Sequence, residues 1–232
     1  MKTIFSSFDA DPFFQFLAAW TLALLTALAL NFAGVGNEVE RQLTNLRASM
    51  LEKPASGDVV IVEIDARSLQ AVDNWPWPRA HYANAIDVLT AAGASQIAFD
   101  VDFSSRSTEM QDQILAEAIA RSDATVILPT MRQQASTVQS EFVESLPIEI
   151  FRENAFLASV NVHPDELGQL NNYSFGTTTA GIARPSLASM IAEVSGDIDH
   201  SFAIDQSIDP NTIPRLSFAD LVSGNGPPIS LA

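Results

Sequence analysis

The chain has 232 residues, with 28 acidic against 12 basic side chains and a net charge of −16. That balance excludes a nucleic-acid partner, because phosphate-backbone binding is driven by clustered Lys and Arg, and Lys2 and Lys53 are the only lysines. The absence of cysteine excludes a disulfide framework and thiol chemistry, while 47% hydrophobic and 17% charged residues suffice for a buried core.

The apolar residues are unevenly spread. From Phe13 to Val35 the chain reads "FFQFLAAWTLALLTALALNFAGV", with no charge. As a helix it would reach about 35 Å, enough to cross a hydrocarbon core of about 30 Å. A cleaved signal peptide would show a shorter apolar run, a basic leader and a small-residue cut site. Here Asp9 and Asp11 accompany Lys2. The pattern predicts a short N-terminal segment over 1–12 and an uncleaved membrane anchor over 13–35, with the lipid bilayer as a partner. Lys2 on one side and Arg41 and Arg47 on the other leave its orientation open.

Residues 36–51 keep helical spacing through Val39, Leu43, Leu46 and Leu51. They predict a stalk that ends in the break "EKPASG" (52–57), and anchor and stalk together point to a homodimer. Beyond the break, "VVIVEI" (59–64) is a β-branched run of strand length. Residues 78–93 predict a helix opened by Pro78, striped by Tyr82, Ile86 and Leu89, and closed by Gly93. A strand over 96–103, a helix over 109–122 and a strand over 124–130 follow. This alternation predicts an α/β fold with right-handed crossovers: a mainly parallel, Rossmann-like domain over 58–232. Farther on, strands over 156–162 and 170–175 read as a hairpin, and helices are expected over 185–196 and 215–224. The chain stops on "LVSGNGPPISLA", turn-rich and unlike the close of an α/β layer, so the domain is expected to be incomplete at its C-terminal end.

Three carboxylates draw chemical interest. Asp65 ends the first predicted strand, and Asp100 and Asp102 fall at the end of the second. Two-residue spacing in a strand puts side chains on one face, and carboxylates at the carboxyl ends of parallel strands suit Mg²⁺-assisted hydrolysis or phosphoryl transfer. Against that, Asp65 can simply cap the turn that follows, Asp100 can pair with Arg79, and Asp102 can face water. Neither GxxxxGK[ST] nor GxGxxG occurs. In "NWPWPRAHY" (74–82), Trp75 and Trp77 both precede proline, which disfavours helical backbone. Two indoles there could form a ligand platform or roof the core, and large aromatics more often pack. His81, His163 and His200 stand apart, without metal-ligand spacing.

Residues 58–105, "DVVIVEIDARSLQAVDNWPWPRAHYANAIDVLTAAGASQIAFDVDFSS", resemble the type-2 CHASE domain. The resemblance rests on the "VVIVEID" strand, the "WPWPR" corner and the "AGASQIAFD" helix-to-strand step. It continues more weakly through "FLASVNVHPDELGQL", "PSLASMIAEVSG" and "IPRLSFADLVSG". It implies a sensory, non-catalytic module outside the cytoplasmic membrane of a bacterium, with 1–12 cytoplasmic and further membrane helices after the domain. The output domains it implies are class III nucleotide cyclases, histidine kinases, diguanylate cyclases or Ser/Thr kinases. Where the family often has a "DGxxR" turn, this chain has "DELGQLNNY" (165–173), and Asp102 stands where an apolar residue is expected. The ligand-binding candidates are Trp75, Trp77, Arg79, Asp65 and Asp100, facing a small-molecule or protein ligand, and no cofactor is expected.

Overall fold

In the computed structural model, which describes residues 12–32, 35–72, 75–134, 142–164 and 168–223, the charge-free run forms helix α1 (Pro12–Phe32). Its stretch Pro12–Leu30 has a mean hydropathy of 1.9 and no buried residue. Among the described residues it is the one helix long and apolar enough to cross a membrane. The hydroxyls of Thr21 and Thr26 donate to the Leu17 and Leu22 carbonyls at 2.8 Å, so neither needs a water partner. Helix α2 (Val35–Met50) follows, with Leu43, Leu46 and Met50 exposed on one stripe at steps of three and four residues. Residues 1–11 of the expected 1–12 leader, residues 165–167 of the 165–173 turn and the 224–232 ending lie outside the described residues.

The chain divides into two units, Met1–Pro54 with Asp205–Asp209, and Ala55–Ile204 with Pro210–Ala232. After β1 (Lys53–Pro54), β2 (Ile61–Glu63) leads to α3 (Ala66–Ala71). Helix α4 (Arg79–Ala91) begins after Pro78. It closes at Gly93, whose φ of 93° lets its own N–H and that of Ala94 turn back to the Thr90 and Leu89 carbonyls. Next come β3 (Gln96–Ala98) and α5 (Glu109–Arg121). Thr108 caps α5 by accepting from the Gln111 N–H, with Glu109 and Asp112 in the first turn and Arg121 in the last, as the helix dipole favours. The order continues with β4 (Thr125–Gln134), β5 (Phe142–Ser145), α6 (Glu149–Arg152) and β6 (Phe156–Ser159). Then come β7 (Asn172–Ser174), β8 (Gly176–Thr179), β9 (Ile182–Pro185) and α7 (Leu187–Ile191). The final elements are β10 (Ser201–Ala203), β11 (Ile208–Asp209), β12 (Arg215–Ser217) and α8 (Phe218–Ser223).

Strand pairing in the second unit is mixed and the sheets are small, in place of the mainly parallel, Rossmann-like sheet expected. β3, β4 and β6 run parallel, as do β2 and β12, whereas β4–β5, β7–β10 and β8–β9 are antiparallel. The reason lies in the connections. A parallel return needs a crossover of a dozen or so residues, but β8 and β9 are joined only by Ala180 and Gly181. Both have positive φ, as a two-residue hairpin turn of type I′ requires.

Three expectations are corrected here. The 156–162 and 170–175 strands do not form a hairpin, because β6 adds to β4 and β7 pairs with β10. Residues 215–217 are strand rather than helix. The run "RLSF" suits either period, and pairing with β2 decides it. Gly196 does not close α7, which ends at Ile191 and is capped by Ala192 before Glu193 at a φ of 54°. A Cβ at Gly196 would instead lie 2.5 Å from the Phe175 ring.

The core of the second unit lies under α4 and α5. Tyr82, Ala83, Ala85 and Ile86 from α4 meet Leu115, Ala116, Ala118 and Ile119 from α5, over Ile97, Val126 and Leu128 of the sheet. Between Val126 and Leu128, Ile127 is wholly buried outside that cluster, as the two-residue period of a sheet covered on both faces demands. In the first unit, β11 pairs in parallel with β1, and Lys53 Nζ reaches Asp205 at 2.8 Å. That ammonium, followed by the Ser207 hydroxyl and N–H, holds the Asp205 carboxyl well below the usual carboxylate range.

Candidate functional site

The tryptophan corner is chiefly a packing device. Trp77 is 3% exposed, stacks on Phe218 at 4.9 Å, and donates its indole N–H to the Val72 carbonyl at 3.2 Å. Trp75, joined to Pro76 by a cis peptide, is 57% exposed and meets Trp77 edge-on at 5.2 Å. His81 lies 6.5 Å from the Trp77 ring. One indole therefore roofs the core while the other stays in solvent.

Arg79, at the first turn of α4, pairs with Asp112 of α5 rather than with Asp100. Its Nε stands 3.7 Å from Asp112 Oδ1, with the two side chains only 11% and 7% exposed. Nη2 donates to the Ser105 carbonyl at 2.9 Å, and the guanidinium lies 4.8 Å over the Phe103 ring. Asp112 also accepts from the Ser107 N–H. One enclosed ion pair thus fastens the 104–108 loop to two helices.

The three carboxylates take separate duties. Asp65 caps α3: its Oδ1 accepts from the Ser68 N–H and hydroxyl at 2.7 Å and from the Ser217 hydroxyl at 3.0 Å. The wholly buried Ser68 hydroxyl in turn accepts from the Ala219 N–H. This network ties the β2–α3 turn to the β12–α8 turn. The Ser68 hydroxyl is the main cause that holds the Asp65 carboxyl below its ordinary range. Asp102 accepts from the Ser104 N–H, the Ser104 hydroxyl and the Ser145 hydroxyl. Burial pushes its pKa up, but those bonds and the Arg79 charge outweigh burial and lower it. β3 stops at Ala98, so neither Asp100 nor Asp102 lies on the strand whose period would align them. Asp100 is exposed, and its charge adds to the burial that raises the Tyr173 hydroxyl pKa. Among the described residues, no group of three His, Cys, Asp or Glu is placed to hold a metal ion.

The cleft of the second unit lies elsewhere, where β4 and β6 end and β7, β8 and β10 begin to face them. It encloses about 540 Å³ and is lined by Arg132, Asn161, His163, Ser174, Asp199 and His200, among others. A crevice outside the carboxyl ends of parallel strands is where α/β sheets commonly receive ligands. Asn161 extends the β4–β6 ladder by one step with its side chain. It accepts from the Arg132 N–H at 3.0 Å and donates to the Arg132 carbonyl at 2.5 Å. Cross-strand register then sets the arginine head group. Glu144 stands opposite Arg132, with Nε 3.6 Å from Oε1, and Phe142, diagonal on β5, lies 4.2 Å under the guanidinium. On the facing wall, Gly176 is required by space, because a Cβ there would lie 2.2 Å from the Arg184 carbonyl oxygen.

Sequence reasoning passed over Arg132, Asn161 and Ser174, and it treated His163 and His200 as isolated. None of them shares a motif. The one legible signal was polar residues just past the apolar run of β6, in "VNVH" (160–163).

A model of the CHASE2 domain matches residues 20–231. No curated protein and no solved structure matches the chain.

Proposed function

The chain belongs to the CHASE2 domain family, a sensory extracellular domain family found in signalling receptors, and on that premise we propose that it is the extracytoplasmic input module of a bacterial membrane receptor. In this reading α1 is an uncleaved anchor in the cytoplasmic membrane, and α2 is the stalk of a homodimer. The second unit receives a ligand and biases the membrane helices between two arrangements. The output is one of the cyclase or kinase types, carried by residues outside this chain. The observation that carries the reading is the extent of the match, which begins at residue 20, inside α1, and runs through the acidic domain. Two further features support it. The exposed Leu43, Leu46 and Met50 repeat at heptad spacing, as a two-stranded stalk needs. In addition, β10, which contributes Ser201 to the cleft, runs by sequence within two residues into the 205–209 segment that belongs with the stalk unit. A ligand at the cleft would therefore act on a strand continuous in sequence with the segment that pairs with Lys53 and Pro54, just past the stalk.

Topology and dimerisation test the proposal together. Alkaline phosphatase fused to the end of the chain is expected to be active, and green fluorescent protein at the same point dark. The reverse result would sink the orientation. Because the chain has no cysteine, Leu43→Cys, Leu46→Cys and Met50→Cys give unambiguous cross-links. Oxidised membranes should yield dimers at these positions in preference to Thr44→Cys and Ala48→Cys, and a flat profile would remove the stalk dimer.

A further inference from the structure

We propose that the cleft between the β4–β6 ends and the β7, β8 and β10 strands binds a small organic oxyanion, a carboxylate or phosphate that carries a hydroxyl or ammonium group at its other end. This deepens the sensor reading and rests on it only for the premise that the second unit has a soluble ligand. The volume of about 540 Å³ falls within the roughly 300–1,000 Å³ typical of small-molecule sites.

The chemistry of the walls selects the ligand. Arg132 Nε and Ser174 Oγ both belong to cleft-lining residues, and both are buried without a hydrogen-bond partner. Buried polar atoms are normally satisfied, so each orphan needs an explanation. Nε can only donate, and its separation of 3.6 Å from Glu144 is too long for a hydrogen bond. Both atoms are closed to solvent as they stand, so a ligand oxygen reaches them once the two side chains turn toward the cleft, which the 36% exposure of the Arg132 side chain permits. His163 and His200 add donor N–H groups to the same walls. The net charge of −16 does not forbid an anion, because exposed charges beyond about 8 Å are largely screened at physiological salt. Arg132 is the one Lys or Arg among the described lining residues, and Glu144, 3.6 Å from its Nε, is the carboxylate that an oxyanion competes with there. Asp199, on the lining, opposes an anion on its own side and favours a donor there. The ligand is thus two-ended, with the oxyanion toward Arg132 and Ser174 and the donor toward Asp199.

The test uses the whole chain in lipid nanodiscs and calorimetric titration. 4-Hydroxybutyrate and glycerol 3-phosphate carry both ends, one on a carboxylate and one on a phosphate. Butyrate carries only the anion. Saturable binding of 4-hydroxybutyrate or of glycerol 3-phosphate, tighter than that of butyrate, is expected, and the one that binds identifies the oxyanion. Arg132→Gln and Ser174→Ala should each weaken binding by about tenfold or more, the size of a lost charge-assisted or buried hydrogen bond. Arg67→Gln, at the exposed pair with Asp220, should leave it unchanged. Ser174→Ala removes a single oxygen, so it keeps the test open should Arg132→Gln fail to fold. No saturable heat with any of the three probes overturns the proposal. So does binding indifferent to both cleft variants, and butyrate binding as tightly as 4-hydroxybutyrate overturns the two-ended ligand. Binding in a chain whose fusion reports a cytoplasmic domain would sink the sensor reading and leave the cleft standing. A correctly exported chain that binds nothing would sink the cleft alone.

Discussion

Arg79 and Arg132 show how differently two regions of one domain use the same side chain. Each guanidinium lies over a phenylalanine ring, each sits near a carboxylate, and each has a buried Nε without a hydrogen bond. Arg79 is sealed between two helices and a loop, 11% exposed against a carboxylate 7% exposed. Arg132 and Glu144 are 36% and 31% exposed at the wall of a cleft. A charge pair enclosed on all sides can only hold structure together, because exchanging its partner would strand a buried ion. A half-open pair with a donor to spare can take a second partner from solution. The conspicuous motif, "WPWPR", marks the closed region, and the open one has no motif at all.

The sharpest way to break this contrast begins at the closed end. Trp77→Ala should cost about 3–5 kcal/mol of unfolding free energy, the range for truncating a large core aromatic. Trp75→Ala, at an exposed ring, should stay within about 1 kcal/mol. Denaturant unfolding of both variants measures the difference, and equal losses would mean that both indoles carry the corner.

The arginines come next. Arg79→Ala should lower stability by about 1–3 kcal/mol, because Asp112 would be left buried without its cation. Arg132→Ala should stay within about 1 kcal/mol, as its pair is about one-third exposed and screened by solvent. An Arg132 variant as unstable as the Arg79 variant would put both residues in the same structural class.

Asp65 gives the smallest effect and probes the closed region by pH. Its folded carboxyl is held below its ordinary range, chiefly by the Ser68 hydroxyl. The contribution is therefore fully present above the unfolded value, roughly 3.9, and is lost as pH falls through the lower folded value. Melting temperatures of Asp65→Asn should start lower near neutral pH and fall less steeply in acid than those of the parent. Parallel curves would show that the Ser68–Ser217 network does not depend on the charge.

Much of the scaffold was legible because its causes are local. The charge-free run appears as α1, the helix expected over 78–93 as Arg79–Ala91, and the one over 109–122 as Glu109–Arg121. Proline entry, a glycine at positive φ, a threonine cap and an apolar stripe all act within a few residues. The strand edges were less legible. β3 ends five residues before its apolar pattern does, because its pairing with β4 runs out after the Phe99 N–H donates to the Ile127 carbonyl. Arg215–Ser217 became strand only because β2 was there to pair with. The candidate site was the least legible part. Asp65, Asp100 and Asp102 looked like a set on strand period, and the early end of β3 dispersed them.

Sequence alone determined the apolar span, the acidic balance, the two long helices of the domain and the proline-flanked tryptophan corner. These follow from composition and from periods and caps that a segment carries by itself. Only the tertiary structure decided which strands pair, which arginine is enclosed, and that Arg132, Asn161, His163, Ser174 and His200 share one cleft. Those outcomes depend on non-local pairing, where register rather than neighbouring sequence sets which side chains meet.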